Sequence, residues 1–264
     1  MPRIYLITGA SGIGAETARM LARDAQNSGG IQLFVAARTE AKCQTLVREL
    51  QSLGATAEYM IGDLTDASFA PLLVAAVTSR FGRLDGVFNV AGISGRRYGD
   101  GPVHECTEEG WAITLNTNAT TQYRVCREAV RVMLAQSPGD NGQRGVILNM
   151  ASILGIHPEP KHFDTVAYAA SKGAIIALSR TMAASYAHAK IRINVIAPAL
   201  VRTPMSARAS EDRGILDFMK SKQPLVEDVI AVEDVATACV YLLTDASRAV
   251  TGEVLTVDAG WQLT

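Results

Sequence analysis

Apolar residues in this chain fall into short continuous runs, separated by longer stretches where they recur every three or four positions. Seven runs predict strands, over residues 3–8, 32–36, 57–61, 86–89, 146–150, 192–196 and 254–257. Most are short and largely apolar, and several are bounded by Gly, Asn or Pro, which is how strands buried in a parallel sheet read. Helical periodicity covers 14–26, 40–53, 68–81, 108–135, 167–188 and 233–243. Thr39 and Thr107 stand just before two of these helices and are expected as N-caps. The repeated β-α-β rhythm implies right-handed crossovers. It predicts an α/β fold, a doubly wound three-layer αβα sandwich around a mostly or fully parallel seven-stranded sheet.

No internal repeat, low-complexity tract or dividing linker interrupts this rhythm. Residues 137–145 are polar and read as a surface loop where a helix turns back into the sheet. Residues 203–227 are charged and carry Pro204, Gly214 and Pro224. Ligands in open α/β sheets bind beyond the carboxyl ends of the strands, so a long insertion there is expected as a substrate lid. A plain surface excursion is the other reading. The 264 residues allow one or two domains at about 150 residues each.

Composition narrows the class. With 48% apolar and 19% charged residues the chain is not disordered. Its 25 Lys+Arg against 26 Asp+Glu give a net charge of −1, with no electrostatic reason to expect nucleic acid or an anionic membrane as partner. Aromatics are only 6%, which suits parallel strands under helices better than an aromatic-rich sandwich. The charge-free apolar stretch at 67–79 contains Pro71 and falls short of the roughly 20 residues of a spanning helix. The first residues lead into a glycine turn rather than a signal-type apolar run. Cys43, Cys106, Cys126 and Cys239 are scattered, without CxxC or metal-ligand spacing. They read as reduced thiols of a cytoplasmic protein, with no metal site.

Candidate chemistry begins where the first strand ends, in Thr8-Gly9-Ala10-Ser11-Gly12-Ile13-Gly14. Glycines let phosphate oxygens approach backbone N–H groups without meeting a Cβ. The following helix adds unpaired N–H donors and a partial positive charge. A second signal is Tyr168 with Lys172, at i and i+4 and so on one helix face. A phenol with an ordinary pKa near 10 becomes a useful acid–base group when a nearby cation stabilises its anion.

These motifs occur in an ordered series. Asp63-Leu64-Thr65 follows the third strand and Asn89-Val90-Ala91-Gly92 the fourth. Trp111 precedes Asn118 in a helix, and Asn149-Met150-Ala151-Ser152 ends the fifth strand. Tyr168-Ala169-Ala170-Ser171-Lys172 comes next, then Asn194, Pro198, Thr203-Pro204, Thr251-Gly252 and Asp258-Ala259-Gly260. The series resembles the short-chain dehydrogenase/reductases in their compact single-domain branch, over nearly the whole chain. A Rossmann-like fold and one dinucleotide-binding catalytic domain over 1–264 are what the resemblance implies. Four departures stand out. One residue is missing between Gly9 and Gly12, Val90 replaces the second Asn of NNAG, and Ala199 and Ala259 replace glycines. The contraction shortens the glycine loop's reach by about 3.5 Å, and the two alanines restrict φ > 0.

The resemblance assigns roles. Tyr168 is the implied general acid/base, and Lys172 lowers its pKa and holds the cofactor's ribose. Ser152 stabilises the substrate oxygen, and Asn118 fixes a water in the proton relay. The implied cofactor site comprises Gly9, Ser11, Gly12, Ile13, Gly14, Arg38, Asp63, Leu64, Asn89, Ala91, Gly92, Tyr168, Lys172, Pro198 and Thr203. Asp63 would meet the adenine, or alternatively cap a helix, and Asn89 would line the cleft. Ala37 occupies the usual position of the acid that reads the ribose hydroxyls, and Arg38 follows it. An arginine with no acid beside it favours NADP(H) over NAD(H), since it pairs with a 2′-phosphate. If Arg38 faces solvent or stacks on adenine, NAD(H) remains usable.

The expected reaction is hydride transfer between NADP(H) and an alcohol/carbonyl small molecule. A dinucleotide-binding regulator without turnover, motivated by the contracted loop, is one alternative. An epimerase or dehydratase that retains its cofactor is another. His157, His162 and Phe163, in a long loop before Tyr168, face either substrate or solvent. A homo-tetramer or homo-dimer packed through the 108–135 and 167–188 helices is the assembly that the resemblance implies. Substrate identity has no readable signature.

Overall fold

The computed structural model describes residues 2–24 and 30–264. Seven strands form one sheet: β1 (Arg3–Ile7), β2 (Ile31–Ala37), β3 (Thr56–Ile61), β4 (Gly86–Asn89), β5 (Gly145–Met150), β6 (Ile191–Pro198) and β7 (Val254–Val257). Their order is β3-β2-β1-β4-β5-β6-β7, and every neighbouring pair is parallel. The helices are α1 (Gly12–Asp24), α2 (Glu40–Ser52), α3 (Phe69–Phe81), α4 (Glu108–Leu115), α5 (Thr121–Ala135), α6 (Pro160–Phe163), α7 (Val166–Tyr186), α8 (Ala207–Glu211), α9 (Arg213–Lys222) and α10 (Val232–Leu243).

The apolar runs follow from burial of both sheet faces. Along β1, Tyr5 and Ile7 enter one layer while Ile4 and Leu6 enter the other. The first layer is completed by α1, α2 and α10, through residues such as Leu21, Leu46 and Leu242. The second is completed by α3, α5 and α7, through Leu73, Ala129 and Met182. A leucine with no exposure, such as Leu148 in β5, contributes about 2 kcal/mol by this burial. Arg192 in β6 is the charged exception. Its guanidinium donates to the carbonyls of Leu242 and Thr244 and to the Ser247 hydroxyl, so the buried cation is hydrogen-bonded throughout.

The strands lie within two residues of their predicted bounds, and the helices differ more. The first begins at Gly12 rather than at 14, and the predicted positions 25 and 26 lie outside the described residues. The continuous 108–135 helix is interrupted by a π-helical turn, Asn116–Thr120, between α4 and α5. Thr107 caps α4, its hydroxyl accepting from the Gly110 N–H at 2.9 Å. Thr39 occupies the N-cap position of α2 without a side-chain bond, so that expected cap is corrected.

The 203–227 segment is more ordered than its composition suggests. It holds α8 and α9, with Asp212 capping α9 through the Ile215 N–H at 3.1 Å. Both its ends are tied together by a parallel bridge between Val201 and Ile230. The buried Gln223 amide reinforces this, accepting from Leu200 N at 2.8 Å and donating to the Asp228 carbonyl at 2.6 Å. Ile215 and Met219 then pack on Ile153 and Trp261.

Trp261 follows a strained turn. Ala259 adopts φ 50°, the left-handed conformation expected to disfavour alanine, whereas Ala199 is not among the positive-φ residues. Gly260 beside it has φ 94°, and a Cβ there would lie 3.1 Å from Pro224 Cγ. Left-handed backbone costs a non-glycine residue about 1–2 kcal/mol, while glycine loses about 0.5–1 kcal/mol more entropy on folding. Ala259→Gly is therefore expected to stabilise the protein by about 0.5 kcal/mol. Gly260→Ala is expected to destabilise it by more than about 1 kcal/mol. Urea denaturation of both variants checks the opposite signs.

Candidate active site

Between β1 and β4 the chain's course reverses, since β2 and β3 lie to one side and β5 to β7 to the other. Such a switch point opens a crevice beyond the carboxyl ends of the strands. A cleft of about 430 Å³ lies there. It is lined by the glycine turn after β1, the ends of β2 to β6, the start of α7, residues of 203–209 and Trp261.

Gly9, Ser11, Gly12 and Ile13 line the cleft at the N-terminus of α1. Gly12 has φ 56°, which the tight turn requires. Gly14 is placed differently from expectation: it lies behind the wall, where a Cβ would sit 2.8 Å from Val90 Cγ1. A Cβ on Gly9 would meet the same methyl at 2.9 Å. Val90, the departure from NNAG, thus packs the β4 end directly against the contracted turn. Thr8 ties the two ends together, its hydroxyl accepting from Val90 N at 3.1 Å and donating to the Phe88 carbonyl at 3.3 Å. A helix N-terminus open to the cleft, free of Cβ atoms, with Arg38 and Lys42 beyond it, fits the phosphates of a dinucleotide.

Arg38 and Lys42 line the cleft past β2. Arg38 Nη1 lies 3.9 Å from an Asp63 carboxylate oxygen, and both side chains are exposed. Asp63 closes an Asx turn, accepting from Thr65 N at 2.9 Å and from the Thr65 hydroxyl at 2.8 Å. It does not cap α3, whose N-cap position is Ser68. Leu64, Ala91, Gly92, Pro198 and Thr203 also line the cleft. Asn89 does not, which corrects its expected place. Its side chain is buried beneath the floor, donating to Asn149 Oδ1 at 2.9 Å, while its own Oδ1 has no partner.

Helix α7 brings the acid–base candidates together. Tyr168 and Ser152 both line the cleft wall. Burial pushes the Tyr168 phenol above its ordinary pKa, and the Ser152 hydroxyl opposes that rise. Lys172 is 3% exposed. Its Nζ donates to the Met150 carbonyl at 3.0 Å and lies 5.4 Å from the Tyr168 ring. Burial lowers its pKa to about 7. At neutral pH burial therefore keeps Tyr168 protonated and works against the Lys172 cation. The expected depression of the phenol by Lys172 is absent from this balance.

Asn118 lies in the π-helical turn, fully buried behind the cleft. Its amide accepts from Ile93 N at 2.8 Å and donates to the Ile93 carbonyl and Ser171 hydroxyl at 3.1 and 3.0 Å. The side chain is thereby spent on fixing the β4 loop to α7. Of the open loop candidates, Phe163 lines the cleft, whereas His157 and His162 do not.

A family model described as enoyl-(acyl carrier protein) reductase matches residues 7–262. The chain belongs to the short-chain dehydrogenase/reductases. An A-factor type γ-butyrolactone 1′-reductase of Streptomyces virginiae is 33% identical, the match covering 99% of this chain and 96% of that one. A 3-oxoacyl-(acyl-carrier-protein) reductase of Thermotoga maritima is 30% identical, covering 98% and 97%. The structure of an actinorhodin polyketide ketoreductase variant with NADPH superposes with a TM-score of 0.84 at 30% identity, covering 98% and 97%. This dehydrogenase/reductase is accordingly an oxidoreductase acting on CH–OH and C=O groups, in a family that binds NAD(P).

Four residues of the dehydrogenase/reductase site escaped the sequence reading. Lys42, in the first turn of α2, lies four residues after Arg38, and a second cation so close in sequence was the available signal. Asp100 caps α7, accepting from Ala167 N and Tyr168 N at 2.9 Å each. Arg96 and Arg208 line the cleft from separate loops. The last three carry no local pattern.

The buried Lys172 makes stability depend on pH. Below about pH 7 both folded and unfolded lysine are charged, and the native state bears the desolvation cost. Between about 7 and 10 the native amine is neutral while the unfolded one stays protonated, so the Lys172 term rises with pH. The stability of Lys172→Met minus that of wild type is expected to fall as pH rises from 7 to 10. Urea denaturation across that range checks it, and a constant difference refutes it.

Proposed function

We propose that this dehydrogenase/reductase interconverts a carbonyl compound and its alcohol with NADP(H), and that Tyr168 gives and takes the proton at oxygen. The observation carrying this reading is that Tyr168 and Ser152 line the same cleft wall, with Lys172 one turn along α7 and its Nζ 5.4 Å from the Tyr168 ring. Ser152 ends the β5 loop, where its hydroxyl accepts from Leu154 N at 3.3 Å. In reduction, Ser152 and Tyr168 together donate to the substrate oxygen, where negative charge develops. Tyr168 then passes its proton to that oxygen, and positively charged Lys172 stabilises the phenolate left behind. Asn118 acts as a positioning residue, holding Ile93 and Ser171 around this pair. The dinucleotide supplies or accepts the hydride.

Ser11, Gly12 and Ile13 would hold the pyrophosphate, Asp63 and Leu64 the adenine, and Lys172 the ribose. Pro198 and Thr203 would hold the far end. The NADP(H) preference is supported by Arg38 with Lys42, which offer two cations to a 2′-phosphate where Ala37 offers no carboxylate. The 203–227 segment, tied at both ends, serves as the substrate lid. Exposed Trp111, Tyr123 and Leu134 on α4 and α5 support assembly of copies through that layer.

Tyr168→Phe is expected to lower kcat at least about 100-fold with NADPH binding retained. Steady-state kinetics over a panel of ketones, aldehydes and keto-esters tests it, and wild-type rates in the variant would remove Tyr168 from its role. Arg38→Ala with Lys42→Ala is expected to raise the KM for NADPH about 10- to 100-fold with the KM for NADH nearly unchanged. Parallel titration of the two cofactors measures that selectivity.

A further inference from the structure

The charge of the cleft differs from that of the chain. Its lining carries Arg38, Lys42, Arg96, Lys172 and Arg208 against one carboxylate, Asp63. Asp63 lies beside Arg38, at the β2 and β3 end. Under the reading above, Arg38, Lys42 and Lys172 serve the cofactor and the reacting oxygen. Arg96 and Arg208 remain.

These two arginines come from elements far apart in the chain. Arg96 stands in the 3₁₀ turn after β4, Arg208 in α8 of the 203–227 segment. Arg96 donates to the His162 carbonyl at 2.8 Å, which fixes its guanidinium at the mouth. Among the described residues neither arginine has a carboxylate within ion-pair distance. Partial burial and Arg208 itself push the Arg96 pKa down, while Asp100 and Asp164 act the other way. Asp100 is committed elsewhere, both its oxygens accepting from the α7 N-terminus. Two like charges thus act on each other with no carboxylate in ion-pair contact among the described residues, Asp164 reaching Arg96 only from beyond that distance. The same cleft is lined by the apolar Phe163 and Trp261, whose rings meet edge-on at 5.5 Å.

We infer that Arg96 and Arg208 form an anion subsite for the substrate. The preferred substrate is then a carbonyl compound with an apolar body and a terminal carboxylate or phosphate. Its carbonyl lies at Ser152 and Tyr168, and its anion bridges the two guanidiniums. Planar guanidiniums suit either anion, since both accept two parallel hydrogen bonds. The inference rests on the proposed reductase reading for the substrate's orientation, and on the two arginines for its charge.

The test compares 7-oxooctanoate, its neutral N-methylamide and 6-oxoheptyl phosphate with NADPH. Wild type is expected to show kcat/KM at least about tenfold higher for an anion than for the amide, as loss of charge-assisted hydrogen bonds implies. Arg96→Gln and Arg208→Gln are each expected to cut that ratio about five- to tenfold. The better of the two anions identifies the headgroup. Equal turnover of amide and anions by wild type would overturn the subsite. So would a raised KM for NADPH in either variant with the anion-to-amide ratio unchanged, because the arginines would then serve the cofactor. If no ketone is turned over, the reductase reading fails, and thermal shift of the NADPH-loaded protein still decides the subsite. Stabilisation by 7-oxooctanoate that exceeds the amide's and is lost in both variants supports it. Equal shifts for acid and amide overturn it.

Discussion

Everything chemical in this protein depends on how firmly α7 is held against the sheet. A helix presenting Tyr168 and Lys172 to a cleft is useful only if its register and rotation are fixed to within a fraction of an ångström. Four buried polar contacts do this along its length. Asp100 takes the Ala167 and Tyr168 N–H groups at the N-terminus. Asn118 holds Ser171, Met150 holds Lys172, and Asn149 holds Ser179 at 2.8 Å. Three of these anchors come from the ends of strands or the loops just beyond them, so the sheet itself sets the position of the acid–base pair.

The same logic governs the other side of the cleft. A contracted glycine loop would leave a gap between the end of β1 and the end of β4. Val90 lies over the loop, close enough that neither Gly9 nor Gly14 tolerates a Cβ. The loss of one residue and the change of Asn to Val are therefore best read together. The shorter turn brings the start of α1 nearer β4, and an apolar side chain fills the contact where a second amide would lack a hydrogen-bond partner. Gly12 keeps its left-handed backbone and its place on the cleft surface, so the part of the turn that faces phosphate is retained.

The sheet was legible because burial on both faces writes itself into every strand as an apolar run, independent of what lies elsewhere in the chain. Tyr168 and Lys172 were legible because helical spacing is local. What escaped was decided by partners far away in sequence. Asp100 meets the α7 N-terminus across 67 residues and has no cap signature where it stands. Asn89 reads as a cleft residue by position, yet its strand-end side chain turns into the interior toward Asn149. The π-helical turn at Asn116–Thr120 inserts into a periodic apolar pattern without erasing it, so the pattern alone reads as one unbroken helix. The 203–227 segment hid two short helices because their apolar faces are satisfied by Trp261 and Ile153 from distant parts of the chain.

Local rules are broken mainly around the active face of the sheet. Lys172 is buried with its ammonium on a carbonyl, and that carbonyl, of Met150, also accepts from Gln122 at 3.1 Å. The Gln122 Oε1 and Asn89 Oδ1 nearby are buried without partners. Each feature costs stability by itself, through desolvation of an amine or an unpaired acceptor. The offsetting stability comes from the wholly apolar layers on either side, where Leu73, Leu148 and Leu242 have no exposure. The wholly buried apolar layers are what allow a desolvated lysine to be kept against the strand ends.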